Sequence, residues 1–144
     1  DPRTKTFVEI DTCFDADHNH FSDEADQALF FGQNNVVGWV STAAFEKTKS
    51  AEASQGWCPA VLDTNGDGKI TEWTEPNQPL DPKKDRRIAL SCYSIAVSPS
   101  DGSLWCSGIG ANDNQLVRIE RGPNPPQSCK AELYRPPASF MRNG

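Results

Sequence analysis

The chain has 144 residues, 36% of them hydrophobic, and its formal net charge at pH 7 is −6. An acidic chain lacks the basic surface that binding to nucleic acid requires, so that class of function is excluded. No apolar run reaches the ~20 residues that cross a bilayer as a helix, and the length suits one domain.

The first half of the chain predicts short strands between turns, with one helical insertion. Residues 41–55 (STAAFEKTKSAEASQ) are rich in Ala, Glu and Lys, which favours a helical turn or two rather than a long buried helix. The remaining segments read as strands: 6–11 (TFVEID), a segment within 18–26, the hairpin 26–33 (DQALFFGQ), 35–40 (NVVGWV) and 58–63 (CPAVLD).

The second half repeats this order. Residues 93–102 (YSIAVSPSDG) alternate in polarity and end in a Pro-Ser-Asp-Gly turn. We predict that 93–97, 103–107 and 115–119 form one antiparallel meander, and that 129–134 is its outer strand.

Two hairpins can be overlaid, DQALFFGQ (26–33) on DGSLWCSG (101–108). A repeated unit of four short antiparallel strands is typical of a propeller blade. The predicted fold is therefore all-β: two four-stranded antiparallel blades of a β-propeller, with a short helical insertion. The alternative is an ordinary β-sandwich whose halves are similar by accident.

The predicted units divide the chain into three. Residues 1–91 hold the last strand of a preceding blade and one complete blade that carries an insertion at 62–76. Residues 92–137 form the second blade, and 138–144 are a tail. Two blades cannot close a ring of typically 4–8, so the expected partners are other blades or subunits that complete the propeller.

The stretch LDTNGDGKITEWTEP (62–76) matches the first nine positions of an EF-hand-type calcium loop. Thr74 stands at position 12, where such loops place a bidentate carboxylate. The predicted calcium ligands are the side chains of Asp63, Asn65 and Asp67, the backbone carbonyl of Lys69, and either Glu72 or Glu75. The flanks predict no helix pair, so we interpret the loop as a structural clip. The alternative is an Asp/Asn/Gly turn that binds no ion.

A weaker candidate is DADHNHFSDEAD (15–26), with carboxylates or amides at positions 1, 3, 5, 9 and 12. Within it, His18 and His20 alternate, so on a strand they share one face and could hold a transition metal. The alternative is a pair of exposed or hydrogen-bonded histidines.

Five cysteines without a CxxC pair favour an exported protein over a zinc site. The expected state is one or two disulfides and at least one unpaired thiol, and the alternative is five buried thiols. The spacing leaves the connectivity open. The five are Cys13, Cys58, Cys92, Cys106 and Cys129.

Several segments, among them TFVEIDTCF, NVVGWVSTAAFEKT, SQGWCPAVLDTNGDGK and EPNQPLDPKKDRRI, resemble a group of bacterial exported propeller proteins similar to virginiamycin B lyase. The resemblance covers nearly the whole chain. The lyase implies a channel-facing His and Glu that work with magnesium. His20 stands at the His place, but Gln33 or a neighbour stands at the carboxylate place, and Gln cannot act as a general base. The second blade has Tyr93 and Gly108 at these places.

These observations predict an exported, extracellular or periplasmic propeller module that binds or scaffolds and is stabilised by calcium. One alternative is a lyase-like or hydrolytic propeller enzyme whose channel site lies partly outside this chain. Another is an accessory subunit of an extracellular redox or filament assembly.

Overall fold

We describe the protein from a computed structural model, for residues 3–22, 25–108 and 114–137. Most of them lie in strands or in the turns between strands, so the fold is all-β, as predicted. The strands are β1 (His18–Phe21), β2 (Ala28–Gln33), β3 (Val36–Ser41), β4 (Gln55–Pro59), β5 (Val61–Leu62), β6 (Trp73–Thr74), β7 (Asp85–Arg87), β8 (Ser94–Val97), β9 (Leu104–Ser107), β10 (Leu116–Glu120) and β11 (Lys130–Tyr134). Within the described ranges, no helix is both long and apolar enough to cross a membrane.

Two four-stranded antiparallel sheets dominate the architecture. The first has the order β1-β2-β3-β4 and the second the order β11-β10-β9-β8, so each is a meander of sequence neighbours. In the second sheet Ile95 lies opposite Cys106, which in turn lies opposite Val117. The predicted meander and its outer strand are confirmed.

The helical insertion is also confirmed. Helices α1 (Thr42–Thr48) and α2 (Ala51–Ser54) connect β3 to β4. Each begins at a serine whose hydroxyl accepts a backbone N–H bond: Ser41 from Ala44 at 3.0 Å and Ser50 from Ala53 at 3.2 Å. These N-caps satisfy donors that a helix start otherwise leaves unpaired.

The outer strand predicted at 58–63 is divided between two sheets. Strand β4 starts earlier, at Gln55, and ends at Pro59 opposite Val36, the first residue of β3. Ala60 then donates its N–H to Asn35 and accepts a bond from the N–H of Ile88, both at 2.9 Å. The next carbonyl beyond β3, that of Asn34, already accepts from the N–H of Cys92, and the chain crosses to β7.

The segment predicted as the last strand of a preceding blade, residues 6–11, forms no strand. Two of its apolar side chains are exposed, Phe7 by 99% and Val8 by 69%, and Ile10 is half-buried. A strand requires a neighbour that takes up its backbone hydrogen bonds, and the described chain offers none here. The predicted tail, 138–144, lies outside the described residues.

A small third sheet, ordered β5-β7-β6, is built from the residues that flank the predicted calcium loop. Strand β5 lies against β11, so the small sheet occupies the space beside the outer strand of the second meander. The chain that follows β7 contributes Ile88 and Leu90 to the hydrophobic core. The 62–76 insertion is thus part of the fold and not a free loop.

One hydrophobic core lies between the two large sheets. The first sheet contributes Phe30 and Val37, and the second contributes Leu104, Val117 and Ile119, all 0% exposed. Two disulfides lie in this core: Cys58–Cys129 joins β4 to the residue before β11, and Cys92–Cys106 closes the start of the second meander. Cys13 is exposed and unpaired. The cysteine expectation is confirmed, and the two bridges indicate an oxidising environment.

Candidate calcium site

The predicted calcium loop lies between β5 and β6, and its side-chain oxygens bond to its own backbone. The two carboxylate oxygens of Asp63 accept from the N–H of Gly66 at 2.7 Å and of Gly68 at 2.9 Å. Asn65 Oδ1 accepts from the N–H of Asp67 at 2.9 Å. The chain therefore coils around the polar side chains of its first turn.

The same pattern continues one step further, where Asp67 Oδ1 accepts from the N–H of Lys69 at 2.8 Å. Gly66 and Gly68 have φ angles of +79° and +74°, in the left-handed region that glycine adopts without a steric cost. Each ionised carboxylate oxygen has two acceptor sites, so one backbone bond apiece leaves acceptor capacity at both aspartates. The loop thus keeps oxygen donors available for a cation.

Hydrogen bonds anchor this loop to the chain that follows it. Thr64 Oγ1 donates to the carbonyl of Lys84 at 3.1 Å, and Asn65 Nδ2 donates to the carbonyl of Lys83 at 3.3 Å. Ile70, at position 8, is 4% exposed and donates its N–H to the carbonyl of Gln127 at 2.9 Å. The loop thereby links the small sheet to the segment that precedes β11.

The two glutamates predicted to complete the shell both pair with cations. Glu72 Oε2 lies 2.9 Å from Lys84 Nζ. Glu75 forms an ion pair with Arg87 and accepts from Trp73 Nε1 at 3.2 Å. Over the described ranges, no three His, Cys, Asp or Glu side chains converge closely enough to hold a metal ion. The loop bonds tie together the side chains of Asp63, Asn65 and Asp67, which are two carboxylates and one amide. The Lys69 carbonyl stays a predicted ligand.

A buried carboxylate beside this loop, that of Asp85 on β7, was missed by the sequence analysis. Its side chain is 1% exposed, and Oδ1 accepts from the N–H of Thr64 at 3.2 Å. Burial raises the pKa of Asp85; the N–H groups of Asn65 and Thr64 oppose this, and the charges of Asp63 and Asp67 add to the rise. Asp85 thus feels the charge of both loop aspartates.

The sequence signal for Asp85 was indirect. It belongs to the run KKDRR (83–87), which is typical of a charged surface. The available hint was the mismatch at position 12, Thr74, after nine matching positions, which calls for a carboxylate from elsewhere. Nothing in the local pattern says which one.

The weaker metal candidate, 15–26, is dispersed. Asp15 accepts from Asn34 Nδ2 at 3.1 Å, whereas Asp26 lies 3.0 Å from Arg121 Nη1. His18 and His20 do alternate on β1, and the ring of His18 contacts Tyr93 with a centroid distance of 4.2 Å. Asp23 lies outside the described residues. The contact of His18 is therefore with an aromatic ring, that of Tyr93.

The residues compared with the lyase's His and Glu lie on or beside separate strands, and no contact between them is described. His20 lies on β1 and is exposed, as is the whole of that strand. Tyr93 contacts His18 across the two meanders, and Gly108 follows β9. The placement of the Gln33 side chain lies outside what the structure describes.

A cleft of about 480 Å³ opens on the face of the first sheet that is turned away from the second. Phe14 covers this face, with its ring 5.8 Å from that of Phe31. The exposed Cys13 is one of the residues that line it. The cleft is lined by Thr12, Cys13, Phe14, Asp15, Asn34, Val36 and Trp57.

Comparison of the chain with models of protein families, with curated proteins and with solved structures found no match. The case for a function therefore depends on the geometry of the chain itself.

Proposed function

We propose that the chain is a module of an exported β-propeller, that it acts in binding or scaffolding, and that its 62–76 loop is a structural calcium clip. The observation that carries the proposal is the way in which the two repeated meanders pack on each other.

The two sheets pack front to back, which means that one face of the first sheet contacts the opposite, non-equivalent face of the second. In the hairpin overlay Phe30 corresponds to Trp105, and Phe31 corresponds to Cys106. Phe30 and Cys106 belong to the shared core. Phe31 instead contacts Phe14, and Trp105 contacts Tyr134 at a centroid distance of 5.5 Å, both on outer faces. Equivalent residues therefore point in opposite directions relative to the interface.

This arrangement favours a propeller over a sandwich of two symmetry-related sheets. In a two-fold pair, both partners use the same surface, so equivalent residues face the interface from both sides. A front-to-back contact instead leaves one face free at each end, and repeating it builds a ring if the rotation closes. The faces turned away from the interface carry Phe31, over which Phe14 packs, at one end, and Trp105 and Tyr134 at the other. These faces suit the adjoining blades, or subunits, that complete a propeller.

The relation between individual strands supports the same reading. Strand β1 lies against β8, so the first strands of the two meanders are neighbours. On the outer side, the small sheet lies next to β11, and Cys58–Cys129 ties β4 to the start of that strand. Blades diverge outward from a channel, and an inserted sheet between their outer strands fills the space that this divergence opens.

The calcium clip fits the residues present. Asp63, Asn65 and Asp67 provide side-chain oxygens, and the carbonyl of Lys69 stands at position 7, where a backbone oxygen is used. Calcium prefers oxygen donors, and the loop is already coiled around them. Its contacts with Lys83, Lys84 and Gln127 mean that an ion there would brace the insertion against both neighbouring segments. The two disulfides support export, since they persist in oxidising compartments.

The propeller is tested by a cryo-EM or crystal structure of the natural full-length protein. We expect four or more four-stranded sheets around one axis, with β1 and β8 nearest to the channel and Trp105 buried by the next sheet. A closed two-sheet sandwich, with Phe31 and Trp105 both facing solvent, would overturn the proposal.

A further inference from the structure

We propose that Asp85, on β7, is the calcium ligand that the 63–71 loop lacks at position 12. The inference rests on the proposed calcium clip and names the residue that completes it. Over the described ranges Asp63, Asp67 and Asp85 do not converge closely enough to hold a metal ion, so the proposal is that calcium draws the three carboxylates together and takes Asp85 in place of Glu72 or Glu75.

The first observation is an unsatisfied oxygen. Asp85 is 1% exposed, and its Oδ2 atom is buried without a hydrogen-bond partner. A buried carboxylate is costly unless it is paired or binds a metal ion. Oδ1 of the same group already bonds to the N–H of Thr64, so the carboxylate lies at the first turn of the loop.

The second observation is that the neighbouring cations are engaged elsewhere. Lys84 pairs with Glu72, and Arg87 pairs with Glu75. Arg86 donates to the hydroxyl of Thr74 and to the carbonyls of Pro76 and Gln78. Among the described contacts, none of these side chains reaches Asp85. A bound metal ion would supply the positive charge that these three side chains do not bring to Asp85.

Three hydrogen bonds fix Asp85 relative to the loop. Besides the Thr64 N–H bond, Thr64 Oγ1 and Asn65 Nδ2 bond to the carbonyls of Lys84 and Lys83, the two residues that precede Asp85. On its other side, Asp85 donates its N–H to the carbonyl of Glu72 at 3.0 Å. The carboxylate is therefore held by the backbone of the loop that it would complete.

The donor set selects calcium. Asp63, Asp67 and Asp85 supply carboxylates, Asn65 an amide and Lys69 a carbonyl, and all of these donors are oxygen. Zinc, copper and nickel prefer sites with nitrogen or sulfur ligands. Magnesium demands near-ideal octahedral geometry, whereas calcium accepts 6–8 oxygens in a flexible arrangement. Oxygens from a loop and a separate strand suit the more tolerant ion.

The test compares thermal melts of the whole chain in calcium chloride and in chelator. The variants are Asp85→Asn, Asp67→Asn and the control Asp11→Asn, which changes an exposed carboxylate away from the loop. We expect Asp85→Asn to weaken calcium binding on the order of tenfold or more, because affinity follows the number of charged ligands. Its midpoint in chelator should equal or exceed that of the wild type, since an unpaired buried charge is removed.

Two results separate this inference from the clip on which it rests. If Asp67→Asn abolishes the calcium-dependent rise and Asp85→Asn keeps it in full, the clip stands and the role of Asp85 is overturned. If the wild type melts at the same temperature in calcium and in chelator, both proposals fail.

A measurement without substitutions covers the case in which Asp85→Asn does not fold. In wild-type protein labelled with ¹³C at the aspartate carboxyls, titration with calcium chloride should move three carboxyl resonances together, those of Asp63, Asp67 and Asp85. Movement of only two would overturn the inference, and movement of three would support it even if the variant is unfolded.

Discussion

Removal of the Cys58–Cys129 disulfide tests whether this bridge stabilises the protein by restricting the unfolded chain. Its half-cystines are 71 residues apart, whereas those of Cys92–Cys106 are 14 apart. Closing the longer loop should restrict the unfolded chain more, and the chain-entropy relation gives roughly 4.4 kcal/mol for the first bridge and roughly 3.0 kcal/mol for the second. We therefore expect Cys58→Ala/Cys129→Ala to be the more destabilising double substitution.

The two bridges form a matched comparison. All four half-cystines are buried, with exposures of 0% for Cys58, 4% for Cys129, 0% for Cys92 and 1% for Cys106. Substitution with alanine therefore removes similar packing from each pair, and the difference reports mainly the loop length. A loss of this size is a large part of the 5–15 kcal/mol typical of a whole domain.

The assay is urea unfolding at 25 °C, followed by tryptophan fluorescence, for the wild type and both double variants. The free energies of unfolding should fall in the order wild type, Cys92→Ala/Cys106→Ala, Cys58→Ala/Cys129→Ala. If the short-loop variant loses as much stability as the long-loop variant, or more, the reasoning from loop closure is refuted.

Three further predictions concern the loop, the core and a surface carboxylate. Calcium at a hundredfold excess over its dissociation constant should stabilise the wild type by about 2.7 kcal/mol, and Asp67→Ala should remove most of this gain; equal melting midpoints in calcium and chelator would contradict it. Phe30→Ala should cost about 3–5 kcal/mol in chemical unfolding, because the side chain is fully buried between the sheets; a loss under about 1 kcal/mol would place Phe30 outside the core. Hydrogen bonds, first from Ser103, hold the pKa of Asp101 well below its ordinary value, so its contribution is present above the unfolded pKa of about 4 and is lost as the pH falls toward the lowered folded pKa. Asp101→Asn should therefore flatten the fall in stability below pH 4, and an unchanged pH profile would refute this.

The sequence by itself determined the elements whose signals are local. Alternating polarity and the Pro-Ser-Asp-Gly turn predicted the meander of β8, β9 and β10, because side chains on a strand alternate between its faces. The stretch rich in Ala, Glu and Lys predicted the helical insertion. The Asp/Asn/Gly spacing at 63–71 predicted a calcium loop or an ion-free turn; the structure shows the turn through the bonds of Asp63 and Asp67, and the calcium stays a prediction.

Only the tertiary structure decided the features that join distant parts of the chain. It paired Cys58 with Cys129, divided the predicted strand 58–63 at Ala60, and brought the Asp85 carboxylate within hydrogen-bond distance of the N–H of Thr64. It also turned Phe30 inward and Trp105, its equivalent in the overlay, outward. Periodicity and turn chemistry act over a few residues, whereas these choices depend on which sheet faces which. That orientation follows from how the two meanders bury their apolar faces together, and no short stretch of the sequence records it.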